Sequence, residues 1–322
     1  MLIPHRTRTC SVVAHQSRVA RTIYIGYATR QRTRRMASIR QYTRDAGHIP
    51  YLRRLSPLGK SLVAVGAYAV WTIVTWLLEG RIQTLLRPEA TMDRIVYTGI
   101  ANVLVGTILA LWLVRELVAS DFVSREQLGF RSPARTVGMV LVAGVLGIAV
   151  YLVQQPPSTD PVVVANAFAQ VLPVSIAEIV ICWVVAGGSV AALLRTRGTN
   201  RYLANGVALV AASLLFGVYH LAHSPPFNTP EMIGLLTLVS VGTGLFYFAG
   251  HSVYGTLVFH NFLALFGVTT ALADAGQLGT YQDPAIPLLV TAVVSLIVLV
   301  GVERVFVRDA ATTPSDAPTT TN

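Results

Sequence analysis

The feature that most constrains this chain is a series of eight long apolar stretches with few charges inside them. A helix that crosses a bilayer needs about 17–25 mostly apolar residues, and each of these stretches has that length. They are Leu62–Leu78, Val96–Val114, Val137–Val153, Leu172–Leu194, Leu203–Ala222, Met232–Ala249, Val253–Ala273 and Ile286–Val302. Because backbone polar groups in lipid must bond within their own segment, such stretches form helices. The sequence predicts an all-α fold, a polytopic membrane bundle of about eight transmembrane helices.

The composition excludes an ordinary soluble domain. The chain is 53% hydrophobic and 12% charged, whereas soluble domains are about 25% charged. The apolar residues also lie in long blocks, which favours a bundle surrounded by lipid. One further apolar stretch, Val162–Gln170, is predicted to be a short interfacial segment leading into the fourth span.

The positive charge is concentrated at one end of the chain. The net charge is +10, and about half of the Lys and Arg residues precede Ser61. Basic residues beside a first span usually keep that end in the cytoplasm, and they attract anionic lipid headgroups. No aromatic interleaving or recognised nucleic-acid-binding motif accompanies the charge. The predicted partner is therefore the lipid bilayer and not a nucleic acid.

The loops between the spans alternate in charge. Arg115–Arg135 holds four Arg and Arg195–Arg201 holds three, whereas Gln154–Pro161, His223–Glu231 and Asp274–Pro284 hold neither Lys nor Arg. An eight-span path with a cytoplasmic N-terminus places each Arg-rich loop on the inner side. The pattern predicts a multi-pass protein of the cell membrane with both termini in the cytoplasm.

The chain is predicted to hold one folded domain between two polar segments. Residues 1–60 form a basic, largely disordered cytoplasmic segment, residues 61–304 the transmembrane helical domain, and residues 305–322 a disordered polar tail. The first 35 residues contain no Asp or Glu and lack the apolar core of a secretory signal. Met36 is a second plausible start beside Met1.

Three ionisable residues lie within the predicted spans: Glu178, His220 and His260. An ionisable group at the centre of a span costs about 2.5–3.5 kcal/mol on insertion scales, so it usually lines a cavity and has partners. His220 follows Glu178 by 42 residues, and His260 follows His220 by 40 residues. Each interval corresponds to an out-and-back passage across the bilayer. We therefore expect the three side chains to converge in the core of the bundle.

Such a cluster could perform several kinds of chemistry. A buried carboxylate can act as a general base toward water. Two imidazoles could bind a metal such as zinc together with the carboxylate, or donate hydrogen bonds to an oxyanion without a metal. The same residues could form a proton relay. His223 either extends this cluster or is an exposed loop histidine, and Asn261 either supports the cluster or bonds a neighbouring helix.

Several motifs resemble those of the CPBP intramembrane proteases, also called the Abi family, which include the CAAX prenyl endopeptidases. The motifs of that family are EExxxR, FxxxH and a later HxxxN or HxxxD. Phe216 and His220 match FxxxH, and GLFYFAGHSVYGTLVFHNFLAL is similar to the family's approach to its last histidine, here His260. REQLGFRSPAR looks like the loop that precedes the family's core. The resemblance covers about residues 126–267.

The chain departs from the family pattern at the first and last motifs. Only one acid, Glu178, is present, and the arginine position holds Cys182 or Trp183 depending on the register. Four residues after His260, where the family has Asn or Asp, stands Ala264. These departures place the activity in question more than the fold.

The resemblance implies that Glu178 activates water while His220 and His260 bind the oxyanion or a metal, with Phe216, Asn261 and His223 in support. The predicted function is an intramembrane endopeptidase acting on a membrane-associated peptide or protein. One alternative is a catalytically inactive CPBP-fold protein that binds a partner or a lipidated peptide, and another is a proton-coupled transporter. The residues leave open whether the cofactor is a divalent metal such as zinc, with Glu178, His220 and His260 as ligands, or none.

Overall fold

The structure is a computed structural model that describes residues 51–84, 86–87 and 89–308. Residues 1–50 of the predicted N-terminal segment and residues 309–322 of the predicted polar tail lie outside the described residues. Residues 57–60 and 305–308, which were predicted to belong to these polar segments, are instead helical and extend the first and last spans. Within the described ranges the chain forms helices joined by short turns, and no strand is present there.

Eight helices are long and apolar enough to cross a membrane. They are α1 (Pro57–Gly80), α2 (Thr91–Ala119), α3 (Pro133–Val153), α4 (Pro161–Thr196), α5 (Arg201–Ala222), α6 (Pro230–Gly250), α7 (Val253–Asp274) and α8 (Ile286–Arg308). The described part of the chain is thus a multi-pass membrane helical bundle, and the predicted fold class is confirmed.

Capping side chains determine where several helices begin. A side-chain oxygen before the first turn accepts hydrogen bonds from backbone N–H groups that have no partner within the helix. The capping residues are Ser56 for α1, Asp160 for α4, Asn200 for α5, Thr229 for α6 and Ser252 for α7. Proline follows the cap in α1, α4 and α6, where its fixed φ suits the first helical position.

Helix α4 is longer than the predicted fourth span. It has 36 residues, about 54 Å at 1.5 Å per residue, against a hydrocarbon thickness of about 30 Å. Val162–Gln170 is therefore the first part of this helix and not a separate interfacial segment. The helix continues through Pro173 without a break, so the stretch before the predicted span belongs to the same helix.

Helix α4 is the centre of the bundle. In the most apolar stretch of this helix 89% of the residues are buried, a larger share than in any other of the eight helices. It contacts α1, α2, α5, α7 and α8, while α3 packs on α7 and α6 packs on α5. A side chain on α4 can therefore meet side chains from several distant parts of the sequence.

The packing of α5 on α6 requires a glycine beside the site. A Cβ atom at Gly217 would lie 1.7 Å from Oγ1 of Thr237 and 3.1 Å from the carbonyl oxygen of Ile233. We expect Gly217→Val to lower the free energy of unfolding by about 1–3 kcal/mol, the usual cost of overpacking. Gly206→Val is the matched control, since a Cβ atom at Gly206 on the same helix has nothing within 4 Å. Unfolding in mild detergent measures both, and equal stability of the two variants would contradict this packing.

Candidate functional site

The three ionisable residues selected from the sequence meet inside the bundle. Glu178 on α4 accepts a hydrogen bond through Oε2 from Nε2 of His260 on α7, at 2.9 Å. Its other oxygen, Oε1, lies 3.9 Å from Nε2 of His220 at the end of α5. All three residues are buried, at 4%, 6% and 3% relative exposure for Glu178, His220 and His260. The predicted convergence is present in the structure.

Each of the two histidines is oriented by a second hydrogen bond. Nδ1 of His220 donates to the carbonyl oxygen of Phe216 at 2.8 Å, which leaves a lone pair on Nε2 facing Glu178. Nδ1 of His260 lies 3.0 Å from Oγ1 of Thr243. Since Nε2 of His260 donates to a carboxylate, its Nδ1 accepts from the threonine hydroxyl. The two rings therefore carry their protons on different nitrogens.

Aromatic side chains fix the positions of both rings. The ring of Phe216 contacts His220 and His260, with centroid distances of 4.6 and 5.3 Å, and Trp183 lies 5.5 Å from His260. Phe216 thus holds His220 through its carbonyl group and both imidazoles through its ring. This explains why the FxxxH spacing matters: residues four apart lie on the same helix face.

Glu178, His220 and His260 line a cavity of about 80 Å³. Its other walls are mostly apolar and come from α4, α5, α6 and α7, with Val174, Leu236 and Ala264 among them. A cavity needs only about 10–15 Å³ of probe-occupied volume to hold a water, provided that polar groups bind it. Glu178 therefore lines a space that is large enough to hold water.

His223 belongs to the same cavity and is not an exposed loop residue. It is 5% exposed, and its ring stacks on that of His220 with centroids 5.1 Å apart. Just beyond the end of α5, burial lowers the pKa of His223 to about 4, so its ring is neutral at pH 7. Among the described residues neither ring nitrogen has a hydrogen-bond partner. Of the two sequence-based alternatives for His223, the structure supports membership of the cluster.

A second buried acid, Glu79 at the end of α1, lies next to this turn. Oε1 of Glu79 accepts a hydrogen bond from the hydroxyl of Ser224 at 2.6 Å, and Oε2 accepts from the hydroxyl of Thr84. Glu79 is fully buried. It therefore fixes the residue that follows His223. This role could not be predicted from the sequence, because Glu79 lies at the edge of a span among charges that balance one another.

The contact between Ser224 and Glu79 gives a testable expectation. We expect Ser224→Ala to lower the free energy of unfolding by about 1.5–3 kcal/mol, because a buried carboxylate loses a donor. Ser295→Ala is the matched control, since Ser295 is equally buried but bonds the carbonyl oxygen of Thr291 in its own helix. Unfolding of both variants in mild detergent measures the difference. Equal effects would show that the contact with Glu79 contributes nothing beyond a local bond.

Asn261 serves helix packing and not the cavity. Its amide donates to the carbonyl oxygen of Phe168 on α4 at 3.1 Å, and the residue is fully buried. The side chain thus joins α7 to α4. Ala264, which stands where the resembling family has Asn or Asp, lies in the cavity wall and supplies no polar group there.

The positions that follow Glu178 are apolar and tightly packed. Ile179, Cys182 and Trp183 are all fully buried. Neither register of the first motif therefore brings a second acid or an arginine from this helix to the cavity. The buried acid next to the turn that carries His223 is Glu79. It comes from a different helix, and its carboxylate accepts hydrogen bonds from Ser224 and Thr84.

No protein-family model, curated protein or solved structure matches this chain. The chemical capacity of the site follows from its own atoms: a buried carboxylate, a histidine that donates to it, and two histidines with available lone pairs, all beside a small cavity. Such an arrangement can accept a proton from water and pass it on.

Proposed function

We propose that this chain is a CPBP-type intramembrane endopeptidase that hydrolyses a peptide bond in a membrane-associated substrate. The observation that carries the proposal is the contact of Glu178 with His260, at 2.9 Å, beside a cavity that Glu178, His220 and His260 line. A carboxylate that is buried, oriented and open to water has the attributes of a general base.

The proposed reaction uses one water and balances its protons. Glu178 accepts a proton from water while the water oxygen attacks the carbonyl carbon of the peptide bond. The proton passes to Nε2 of His220, 3.9 Å from Glu178, which then donates a hydrogen bond to the oxyanion. Collapse of the tetrahedral intermediate breaks the C–N bond, and His220 returns the proton to the leaving nitrogen. His260 keeps the carboxylate in position throughout.

The surroundings of the site support a substrate that is partly apolar. The cavity wall is mainly aliphatic, with Val171, Leu263 and Val268 in addition to the residues named above. A peptide at the membrane surface with an apolar group that enters from the lipid would suit this wall. The charge alternation of the loops further supports a location in the cell membrane with both termini in the cytoplasm.

A cleavage assay in liposomes tests the proposal. The full-length protein would be reconstituted with a library of membrane-associated peptides, and products would be identified by mass spectrometry. We expect cleavage by the unaltered protein and by Glu303→Gln, and cleavage about 10²–10⁴-fold slower by Glu178→Gln. Glu303 is the matched control because it is a buried glutamate at the end of α8 that bonds Tyr254 and Arg308.

Two results would contradict the proposal. Equal cleavage by the unaltered protein and Glu178→Gln would exclude Glu178 as the base. Absence of cleavage by the folded protein across the library, together with a stable stoichiometric partner that Glu178→Gln also retains, would favour a binding role instead.

That binding role is the second candidate function. It is favoured by Ala264 in the cavity wall and by the apolar residues after Glu178, since both replace polar groups of the resembling family. In this case the cavity would hold a partner or a lipidated peptide without cutting it. Isolation from membranes in mild detergent, followed by identification of bound peptide or protein, separates the two candidates.

A further inference from the structure

The orientation of the histidines identifies a set of metal ligands that differs from the one expected from the sequence. We propose that Glu178, His220 and His223 bind a divalent transition metal ion such as zinc, with His260 outside the ligand set as the residue that orients Glu178. The proposal concerns the site of the proposed function and would replace its metal-free steps: with an ion bound, Glu178 and His220 would hold the ion, and the proton transfer from Glu178 to Nε2 of His220 would not take place.

The positions of three donor groups support this site. One ligand atom from each of Glu178, His220 and His223 lies within 4.8 Å of the other two. All three residues are buried and line the same cavity. Donors bound to one tetrahedral zinc ion at about 2.0–2.2 Å lie about 3.3–3.6 Å apart, so shifts of the donor atoms by up to about 1.5 Å would bring them to this spacing.

The hydrogen bonds decide which histidines can act as ligands. Nδ1 of His220 donates to the carbonyl oxygen of Phe216, and this bond leaves the Nε2 lone pair free, as in most metal-binding histidines. In contrast, Nε2 of His260 carries the proton that it donates to Glu178, and its Nδ1 accepts from Thr243. His260 thus has no lone pair directed at the cavity, and its role is to orient the carboxylate.

His223 provides the independent observation. A buried imidazole usually has a hydrogen-bond partner, yet among the described residues both nitrogens of His223 have none. The next residue, Ser224, is fixed by Glu79, so the turn that carries His223 is anchored. A buried and unpartnered imidazole stacked on His220 is explained if it binds an ion together with that histidine.

The remaining features fit an ion with one open position. Histidine and carboxylate donors suit zinc and related divalent ions. Three protein ligands leave a fourth position for water, as catalytic zinc sites do, and the cavity of about 80 Å³ provides the space.

Metal binding can be measured without any substrate. The full-length protein, purified in mild detergent without a histidine tag, would be stripped with a chelator and titrated with Zn²⁺ and Co²⁺. We expect one tight site per chain and a visible cobalt spectrum of four-coordinate type. His223→Ala and the more conservative His223→Gln should both lose this site. His260→Gln should keep one ion per chain with affinity lowered by about 10–100-fold, the usual effect of a residue that orients a ligand.

Control variants separate loss of the site from loss of the fold and from binding elsewhere. His251→Ala should bind as the unaltered protein does, because His251 lies between α6 and α7 outside the cavity. Gel filtration would establish that each variant is folded. Absence of a tight site in the unaltered protein would overturn the inference, as would loss of the site in His260→Gln with retention in both His223 variants. Since no cleavage is measured, either result leaves the test of the peptidase separate.

Discussion

Replacing Glu178 by glutamine is expected to lower the rate of peptide cleavage by about 10²–10⁴-fold, the usual contribution of a general base. Glutamine has nearly the same shape, and its amide oxygen can still accept the hydrogen bond from His260. It cannot accept a proton from water. The bundle should stay folded, because the change also removes a charge from a buried position.

Initial rates in liposomes measure this effect, with gel filtration as the test of folding. Glu303→Gln provides the comparison, because it makes the same change at a buried carboxylate on α8, outside the cavity. A Glu178→Gln rate within threefold of the unaltered protein, on the same substrate, would exclude the proposed role of this residue.

Replacing His260 by alanine is expected to have the second largest effect. It removes the donor to Glu178 and leaves a buried carboxylate without its partner, which costs about 3–5 kcal/mol when a buried pair is broken. The packing of the ring against Trp183 and Phe216 is lost as well. Cleavage should fall by about 10²-fold, as when a catalytic group loses its support and moves by about 1 Å.

Unfolding in mild detergent measures the stability of His260→Ala. Thr243→Val is the graded comparison: it removes only the hydroxyl that donates to Nδ1 of His260, so its cost should be about 0.5–1.5 kcal/mol. A His260→Ala variant no less stable than Thr243→Val would be inconsistent with a buried contact between His260 and Glu178.

The bundle could be predicted from the sequence because lipid imposes a simple rule on it. Every span must be apolar and helical, so the length of the apolar stretches was enough to find all eight helices. The start of α4 was the exception. Proline within a long helix costs less where neighbouring helices satisfy the freed backbone groups. Helix α4 therefore runs through Pro173, and Asp160 with Pro161 starts it earlier than predicted.

The candidate site was partly predictable for a related reason. Ionisable residues inside a span stand out against apolar neighbours, which led to Glu178, His220 and His260. Thr243 gave no such signal, because a threonine in a helix commonly bonds a carbonyl group of its own preceding turn. Only the packing of α6 on α7 reveals that its hydroxyl serves His260.

The positions of His223 and Glu79 could not be read from spacing alone. His223 follows the predicted fifth span, where solvent exposure is the usual outcome. Its burial depends on the end of α1, where a Cβ atom at Gly80 would lie 2.6 Å from the carbonyl oxygen of Ala222 and Glu79 bonds Ser224. Contacts between segments about 145 residues apart leave no pattern in a single sequence.

A double-mutant cycle of Glu178 and His260 tests the central claim most directly, because it measures whether the two side chains interact. The free energies of unfolding of Glu178→Ala, His260→Ala and the double variant would be compared with that of the unaltered protein, since each single change removes the hydrogen bond between the two side chains. Contact at 2.9 Å predicts a coupling free energy of about 1–3 kcal/mol, with the double variant less destabilised than the sum of the single changes. Effects that add to within about 0.5 kcal/mol would mean that the two residues do not meet, and would contradict the proposed site.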